Sequence, residues 1–362
     1  MKILVFAKRR PQGRDLIRRP YGRFHFLPSE LRNRGHSVKL VVADYSGAVD
    51  EQTSTRGMSI ISVGMRSARG LGRYITYARA AGSEVRPDWV GGLSDTWYAL
   101  AAQHVARRCG ARLWIDAYDN YSSYIPWAWP LHRAWRKAAR QADLLTVAGP
   151  TLEQLLGSER TASSTLVLPM APDPIGFEPG DMLAARARLR LPGDAPLVAF
   201  GGGVHPSRDL ETLFRAVEIA RRQCPQLKLV LSGRRFRGVE LPADALWLGY
   251  LPDDAIPTLY QAVDVVAVMN TPGAFGDYSY PIKLYEAMAC KRPVVVSRTA
   301  STAWILRDHP QRLVEPNNPK ALANILHNAL TEKKAIYSTL PTWSGNTDIL
   351  EAALSQPLQA CT

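Results

Sequence analysis

Runs of β-branched and aliphatic residues alternate with amphipathic stretches along this chain, stop at a proline-rich segment over residues 169–179, and then alternate again. That restart is the strongest constraint on the fold. Strand–helix–strand units close into parallel sheets covered on both faces. A proline-rich break in the middle divides the chain between two of them. The expected class is α/β, with two doubly wound, Rossmann-like domains facing across a cleft, over residues 1–172 and 180–340.

In the first half, residues 3–7, 38–43, 113–116 and 142–148 read as strands, and 24–33 and 96–109 as helices stopped by Gly35 and Gly110. In the second, residues 197–200, 228–232, 263–269 and 293–297 read as strands, with helices over 210–222, 256–262, 282–289 and 320–330. Such sheets bind ligands beyond the carboxyl ends of their strands, so the loops after Phe200, Ser232, Met269 and Ser297 carry the interest.

Composition enters at two points. Hydrophobic residues make up 46% of the 362 and charged residues 21%, enough apolar material for two cores. The net charge of +13 is densest around Lys8–Arg23 and Arg133–Arg140. It suits an anionic membrane surface, a phosphorylated small substrate or plain solubility. Nucleic acid ranks last, because no RNA-recognition, zinc-finger or recognition-helix pattern is present. Cys109, Cys224, Cys290 and Cys361 form no C-x-x-C pair, so no metal or redox spacing is read and a reducing compartment is expected. The opening apolar run is cut by Lys8-Arg9-Arg10, which argues against a signal peptide, and no stretch reaches the length of a membrane span.

Two motifs carry chemistry. Gly201-Gly202-Gly203-Val204-His205-Pro206-Ser207-Arg208 lies between a strand and a helix. Glycines let backbone approach a phosphate, the helix start favours anions, and Arg208 adds a charge-assisted contact. His205 can donate to a phosphate or sugar oxygen. A tight turn without ligand is the competing reading. The second motif runs from Tyr280-Pro281-Ile282-Lys283 through Glu286 to Ser297. Pro281 suits the first turn of a helix, and Glu286 is read near its start, where the macrodipole favours a carboxylate able to hold a ribose diol. A surface acid is the alternative.

The stretch YPIKLYEAMACKRPVVVS resembles the donor-site signature of the retaining glycosyltransferases of family four. RNRGHSVKLVV, ADLLTVAGPTLEQLL, LVLPMAPDP, VAFGGGVHPSRDLETLFRAVE and LWLGYLPDDAIPTLYQAVDVVAV follow in the order that family keeps. The resemblance implies a GT-B fold, with residues 341–362 as a last helix crossing back to the first domain. It implies transfer of a sugar from a nucleotide-sugar donor to a glycan, lipid-linked or small-molecule hydroxyl, with retention at the anomeric carbon. No cofactor and no metal are implied, since protein cations meet the leaving diphosphate. Glu286 would hold the donor ribose, Arg208 the diphosphate, and Tyr280, Pro281, Ile282 and Lys283 would cover the phosphates. Gly202, Gly203 and His205 would form the loop beneath them, and Arg234 would flank the base.

Two residues depart from the family pattern. Tyr278 stands where a second glutamate is common, and glycine follows Gly201 where arginine is common. They motivate the alternative of a GT-B scaffold or partner subunit without catalysis. On the acceptor side, Asp116, Asp119 and His25 are candidates, Asp119 to position or deprotonate the hydroxyl. A turn or cap role competes for Asp119, and packing for His25. The aromatic residues Tyr118 to Trp135 beside Arg133, Arg136 and Lys137 suit either helix packing or a membrane interface. The expected place is the cytoplasm, with peripheral contact on an anionic inner membrane face as the further reading.

Overall fold

A computed structural model describes every residue except 48, 68, 94, 159–164, 206–207, 333 and 357–362. The chain forms two compact units, one of Met1–Met170 with Pro341–Thr362, the other of Ala171–Leu340.

The first unit begins with β1 (Lys2–Lys8), α1 (Arg23–Asn33) and β2 (Ser37–Asp44). A hairpin follows, β3 (Glu51–Thr55) and β4 (Met58–Gly64), then α2 (Gly70–Val85), β5 (Trp89–Leu93) and α3 (Thr96–Cys109). β6 (Arg112–Ala117), α4 (Trp129–Gln141), β7 (Leu144–Val147), α5 (Pro150–Gly157) and β8 (Thr165–Val167) complete the alternation. The strand order is β3-β4-β2-β1-β5-β6-β7-β8, parallel except for β3 against β4. Ile3 to Ala7 are fully buried, as a central strand covered on both faces requires. Gly110, with φ of +64°, takes the left-handed C-cap of α3.

The second unit runs α6 (Met182–Leu189), β9 (Leu197–Gly201), α7 (Leu210–Ala220), β10 (Lys228–Ser232), β11 (Leu246–Trp247), α8 (Ile256–Ala262) and β12 (Val265–Val268). It continues through α9 (Ile282–Ala289), β13 (Val294–Ser297), α10 (Ala300–Ile305), β14 (Leu313–Val314) and α11 (Pro319–Thr331). Its order, β11-β10-β9-β12-β13-β14, is the doubly wound dinucleotide order of six parallel strands, and the direction of winding reverses between β9 and β12. Val198, Phe200, Leu213, Leu231, Ala267, Val295 and Leu326 bury the sheet faces beneath α7 and α11.

The final helix, α12 (Trp343–Leu354), belongs to the first unit. Trp343 stacks on Phe26 of α1 with ring centroids 5.5 Å apart. Arg34 reaches Asp348 at 2.7 Å and Glu351 at 3.2 Å. Trp89 Nε1 donates to the Leu354 carbonyl at 3.0 Å.

Two expectations need correction, and two elements are additions. Pro281 is the N-cap of α9 rather than a residue of its first turn. Glu286 is not near the helix start: it is the fifth of eight residues and 3% exposed, so burial rather than the dipole governs it. The hairpin β3–β4 and the helix α2 were not expected at all.

Candidate functional site

The loops after β9 and β12 emerge on either side of the winding reversal in the second unit, the place where such sheets leave a crevice. After β9 the chain turns through Gly202, whose N–H donates to the Ser232 carbonyl at 2.8 Å. Gly233, with φ of +139°, follows β10 so closely that a Cβ there would overlap the Gly202 carbonyl oxygen. A Cβ on Gly202 itself would come within 3.0 Å of Lys283 Nζ. The glycines therefore admit one another and the Lys283 ammonium.

Lys283 Nζ donates to the Gly201 carbonyl at 3.2 Å and lies 4.7 Å over the Phe200 ring. Burial of the ammonium, with Arg208 nearby, pushes its pKa down to about 7, while Glu286 pulls the other way. Arg208 Nη1 donates to Asn270 Oδ1 at 3.3 Å, joining the loop after β9 to the loop after β12. Its guanidinium lies 5.1 Å over the Phe275 ring. The buried Glu286 is close enough to act electrostatically on Lys283. So Gly202, Arg208, Lys283 and Glu286, chosen from sequence, come together. What they make is a pair of basic side chains beside the backbone of the glycine loop, a setting for a diphosphate.

The surrounding residues vary more. His205 is exposed and packs edge-on against Phe236 at 5.0 Å, and Phe236 closes over Gly203. Arg234 is exposed, with its carbonyl accepting from Val204 N at 2.9 Å, whereas Arg235 is occupied by the Val239 carbonyl. Tyr280 is buried and packs edge-on against Trp304 at 5.7 Å, while Pro281 and Ile282 are half-buried. Pro206 and Ser207 of the glycine loop lie outside the described residues.

Asp277, beside Tyr278, is tied to backbone amides. Its Oδ1 accepts from Ala300 N at 2.9 Å and its Oδ2 from Gly273 N at 2.8 Å, which fastens the loop to the start of α10.

In the first unit, Asp116 is a correction. Arg23 grips both its oxygens, Nη2 to Oδ1 at 2.6 Å and Nε to Oδ2 at 2.8 Å, and Thr146 Oγ1 donates to Oδ1 at 2.6 Å. It holds α1 to the sheet. Asp119 is 5% exposed and accepts from Tyr124 OH at 2.6 Å. His25 is 1% exposed on α1, its Nε2 without a partner among the described residues. Burial, helped by the charge of Arg56, lowers its pKa to about 4, so the ring is neutral near pH 7.

Two residues escaped the sequence reading. Asn270 is 2% exposed and anchors Arg208; the signal was a polar residue directly after an apolar strand. Asp95, after β5 where the first sheet reverses its winding, has its carboxyl pushed up by burial while Lys8 pulls it down. A carboxylate following such a strand was readable.

Comparison with known proteins bears on the family and the fold. The family model described as Glycosyl transferase 4-like domain matches residues 24–171, and that described as Glycosyl transferases group 1 matches residues 195–332. The D-inositol 3-phosphate glycosyltransferase of Stackebrandtia nassauensis is 29% identical over 221 residues, 53% of this chain and 49% of that protein. Its counterpart from Saccharomonospora viridis is 32% identical over 160 residues, 39% of this chain and 36% of that protein. The chain thus spans about half, or less, of the length of these curated relatives. Sucrose-phosphate synthase from Thermosynechococcus elongatus superposes with a TM-score of 0.72 at 18% identity, over 98% of this chain and 96% of that one. Anabaena HepE in complex with UDP gives 0.67 at 18% identity over 98% and 96%. These likenesses speak for the fold. With family models matched in both units, over residues 24–171 and 195–332 and so over most of the chain, the chain belongs to the glycosyltransferases that the two models, 4-like domain and group 1, describe.

Proposed function

We propose that this protein transfers a sugar from a nucleoside-diphosphate sugar to an acceptor hydroxyl, with retention at the anomeric carbon. One observation carries the reading: Arg208, Lys283 and the Gly201–Gly203 backbone converge at the winding reversal of the second sheet, with the buried Glu286 within electrostatic reach. In the reaction the bond from the anomeric carbon to the diphosphate oxygen breaks as the acceptor oxygen bonds to that carbon. The negative charge that develops on the diphosphate meets Arg208, Lys283 and backbone N–H groups, which serve here in place of a metal or other cofactor. Glu286 accepts hydrogen bonds from the donor ribose. Arg234 and Phe236 flank the base, and Tyr280, Pro281 and Ile282 shape the phosphate end. Asp119 handles the acceptor hydroxyl and its proton, with His25 and Asp95 as further residues of the acceptor side. UDP is the first donor nucleotide to try, because UDP or UDP-glucose occupies the solved HepE structures.

Removing a preorganised charge of this kind costs about 10²–10³ in kcat. Arg208→Ala should therefore lose about that much transfer. Glu286→Ala should lower kcat/KM by roughly 10–100-fold, the worth of hydrogen bonds to a buried charge. Transfer from UDP-, GDP- and ADP-sugars, followed by release of nucleoside diphosphate, measures both. Undiminished turnover in both variants would sink the assignment.

A further inference from the structure

The most unusual surface of the first unit lies outside the candidate site, where the chain enters α4. Between residues 120 and 142 there is no Asp or Glu, while Arg133, Arg136, Lys137 and Arg140 supply four cations. Just before and at the helix start, Trp127 is 80% exposed, Trp129 65% and Tyr124 50%. Nothing in the folding of the unit requires bare indoles there. The packing work of α4 is done by His132, Trp135, Ala138 and Ala139, all buried on the opposite side. Trp135 closes against Tyr121 at 5.0 Å.

The exposed residues keep helical register. Trp129, Arg133, Lys137 and Gln141 recur every four residues, with Arg140 beside them, and so form one stripe. Arg133, Lys137, Arg140 and Gln141 line a shallow recess of about 340 Å³. Gln141 Oε1 is held there by Arg107 of α3 at 2.8 Å, which adds a further cation to the rim. Pro126 and Pro130 stiffen the turn that carries the two tryptophans.

We propose that this stripe is a docking surface for an anionic lipid bilayer, with Trp127 and Trp129 seated at the headgroup–acyl boundary and the recess between Arg133, Lys137 and Arg140 receiving lipid phosphates. Indole has an apolar body and a polar N–H and settles at that boundary. A row of cations next to it adds attraction to anionic headgroups that salt screens. A protein partner is the weaker match: a flat cationic row with two adjacent bare indoles offers no apolar groove for a helix or strand. The inference does not depend on the glycosyl-transfer reading.

The test uses the full chain and vesicles of phosphatidylcholine with or without phosphatidylglycerol. Cosedimentation at low salt should show binding to the mixed vesicles, little to phosphatidylcholine alone, and release at high salt. Neutralising Arg133, Lys137 and Arg140 together to Gln should weaken binding by about 100-fold, at roughly fivefold per cation near an anionic surface. Trp127→Ala with Trp129→Ala should weaken it independently and abolish the quenching that brominated acyl chains cause at those rings. Circular dichroism and melting show that each variant folds. Absence of binding at low salt, equal binding to both vesicles, or binding untouched by the triple Gln variant would each overturn the proposal.

Discussion

The carboxyl ends of the strands are finished differently in the two units. In the first, two buried arginines there are met by carboxylates. Arg9 meets Asp15 at 3.2 Å and Glu51 at 2.8 Å, and Arg23 closes on Asp116 with 1% of its own surface exposed. Burial alone would raise the Asp15 carboxyl, yet hydrogen bonds from Arg9 and the Ile17 amide hold it below its ordinary value. In the second unit, Lys283 has a carbonyl oxygen and a ring face for company, and no carboxylate within ion-pair distance among the described residues. A cation already answered by a carboxylate works for the fold. One held by neutral groups keeps most of its field for a ligand.

The sharpest way to break that contrast is Asp116→Ala. It strands the Arg23 guanidinium in a dry site, so the first unit should lose about 3–5 kcal/mol. Urea unfolding followed by circular dichroism measures the loss, and nucleotide affinity measured on the folded protein should stay within about twofold, since Arg208, Lys283 and Glu286 all belong to the second unit. Native stability with ruined nucleotide binding would mean that the first unit's ion pairs are part of the donor site after all.

Asp116 also marks the limit of what the sequence discloses. Its partner Arg23 lies 93 residues away, so an aspartate at a strand end was read as an acceptor-side candidate when its carboxylate is half of a buried clamp. Strands such as 3–7 and 228–232 were legible because continuous apolar runs need cover on both faces, and helices such as 96–109, 256–262 and 282–289 because glycine and proline punctuate them. The strand β3, EQTST, carries no apolar alternation and exists only by pairing with β4. The helix α2 contains Gly70, Gly72 and Gly82, which weaken its propensity; Gly82 is there because Val105 and Cys109 pack where a Cβ would stand. The glycine loop and Lys283 were visible as motif. Asn270 belongs to no such motif; its only signal was its place directly after an apolar strand, and its importance comes from burial beside Arg208.

A smaller effect sharpens the contrast from the first unit's side. The folded-state pKa of His25, about 4, lies below the usual 6.5, so the unfolded chain binds its proton first. Stability from this residue is intact above about pH 6.5 and is lost as pH falls toward 4, by roughly 3 kcal/mol at the end of that window. His25→Phe should flatten this part of the stability profile of the first unit, read by urea unfolding at pH 7 and pH 4.5. An unchanged slope would show that His25 reaches water in the folded protein and is not held neutral by burial.

The smallest expected effect falls on the residue that separates the units most clearly. Lys283 has a folded-state pKa of about 7 against 10.5 in an exposed chain, so at neutral pH it is only part charged. A bound diphosphate favours the charged form and raises that pKa. Nucleoside-diphosphate affinity should therefore be full below pH 7 and weaken as pH rises, by up to about tenfold per pH unit, levelling off once the pKa in the complex is passed. Lys283→Met should remove this dependence, bind nucleotide more weakly at pH 6, and stabilise the second unit by on the order of 1 kcal/mol through the loss of a desolvated amine. Calorimetric titration of UDP between pH 6 and 9 reads the first two effects and thermal unfolding the third. A flat pH profile in the unmodified protein would mean that Lys283 is as fully engaged as Arg9 and Arg23, and the two units would then be finished alike.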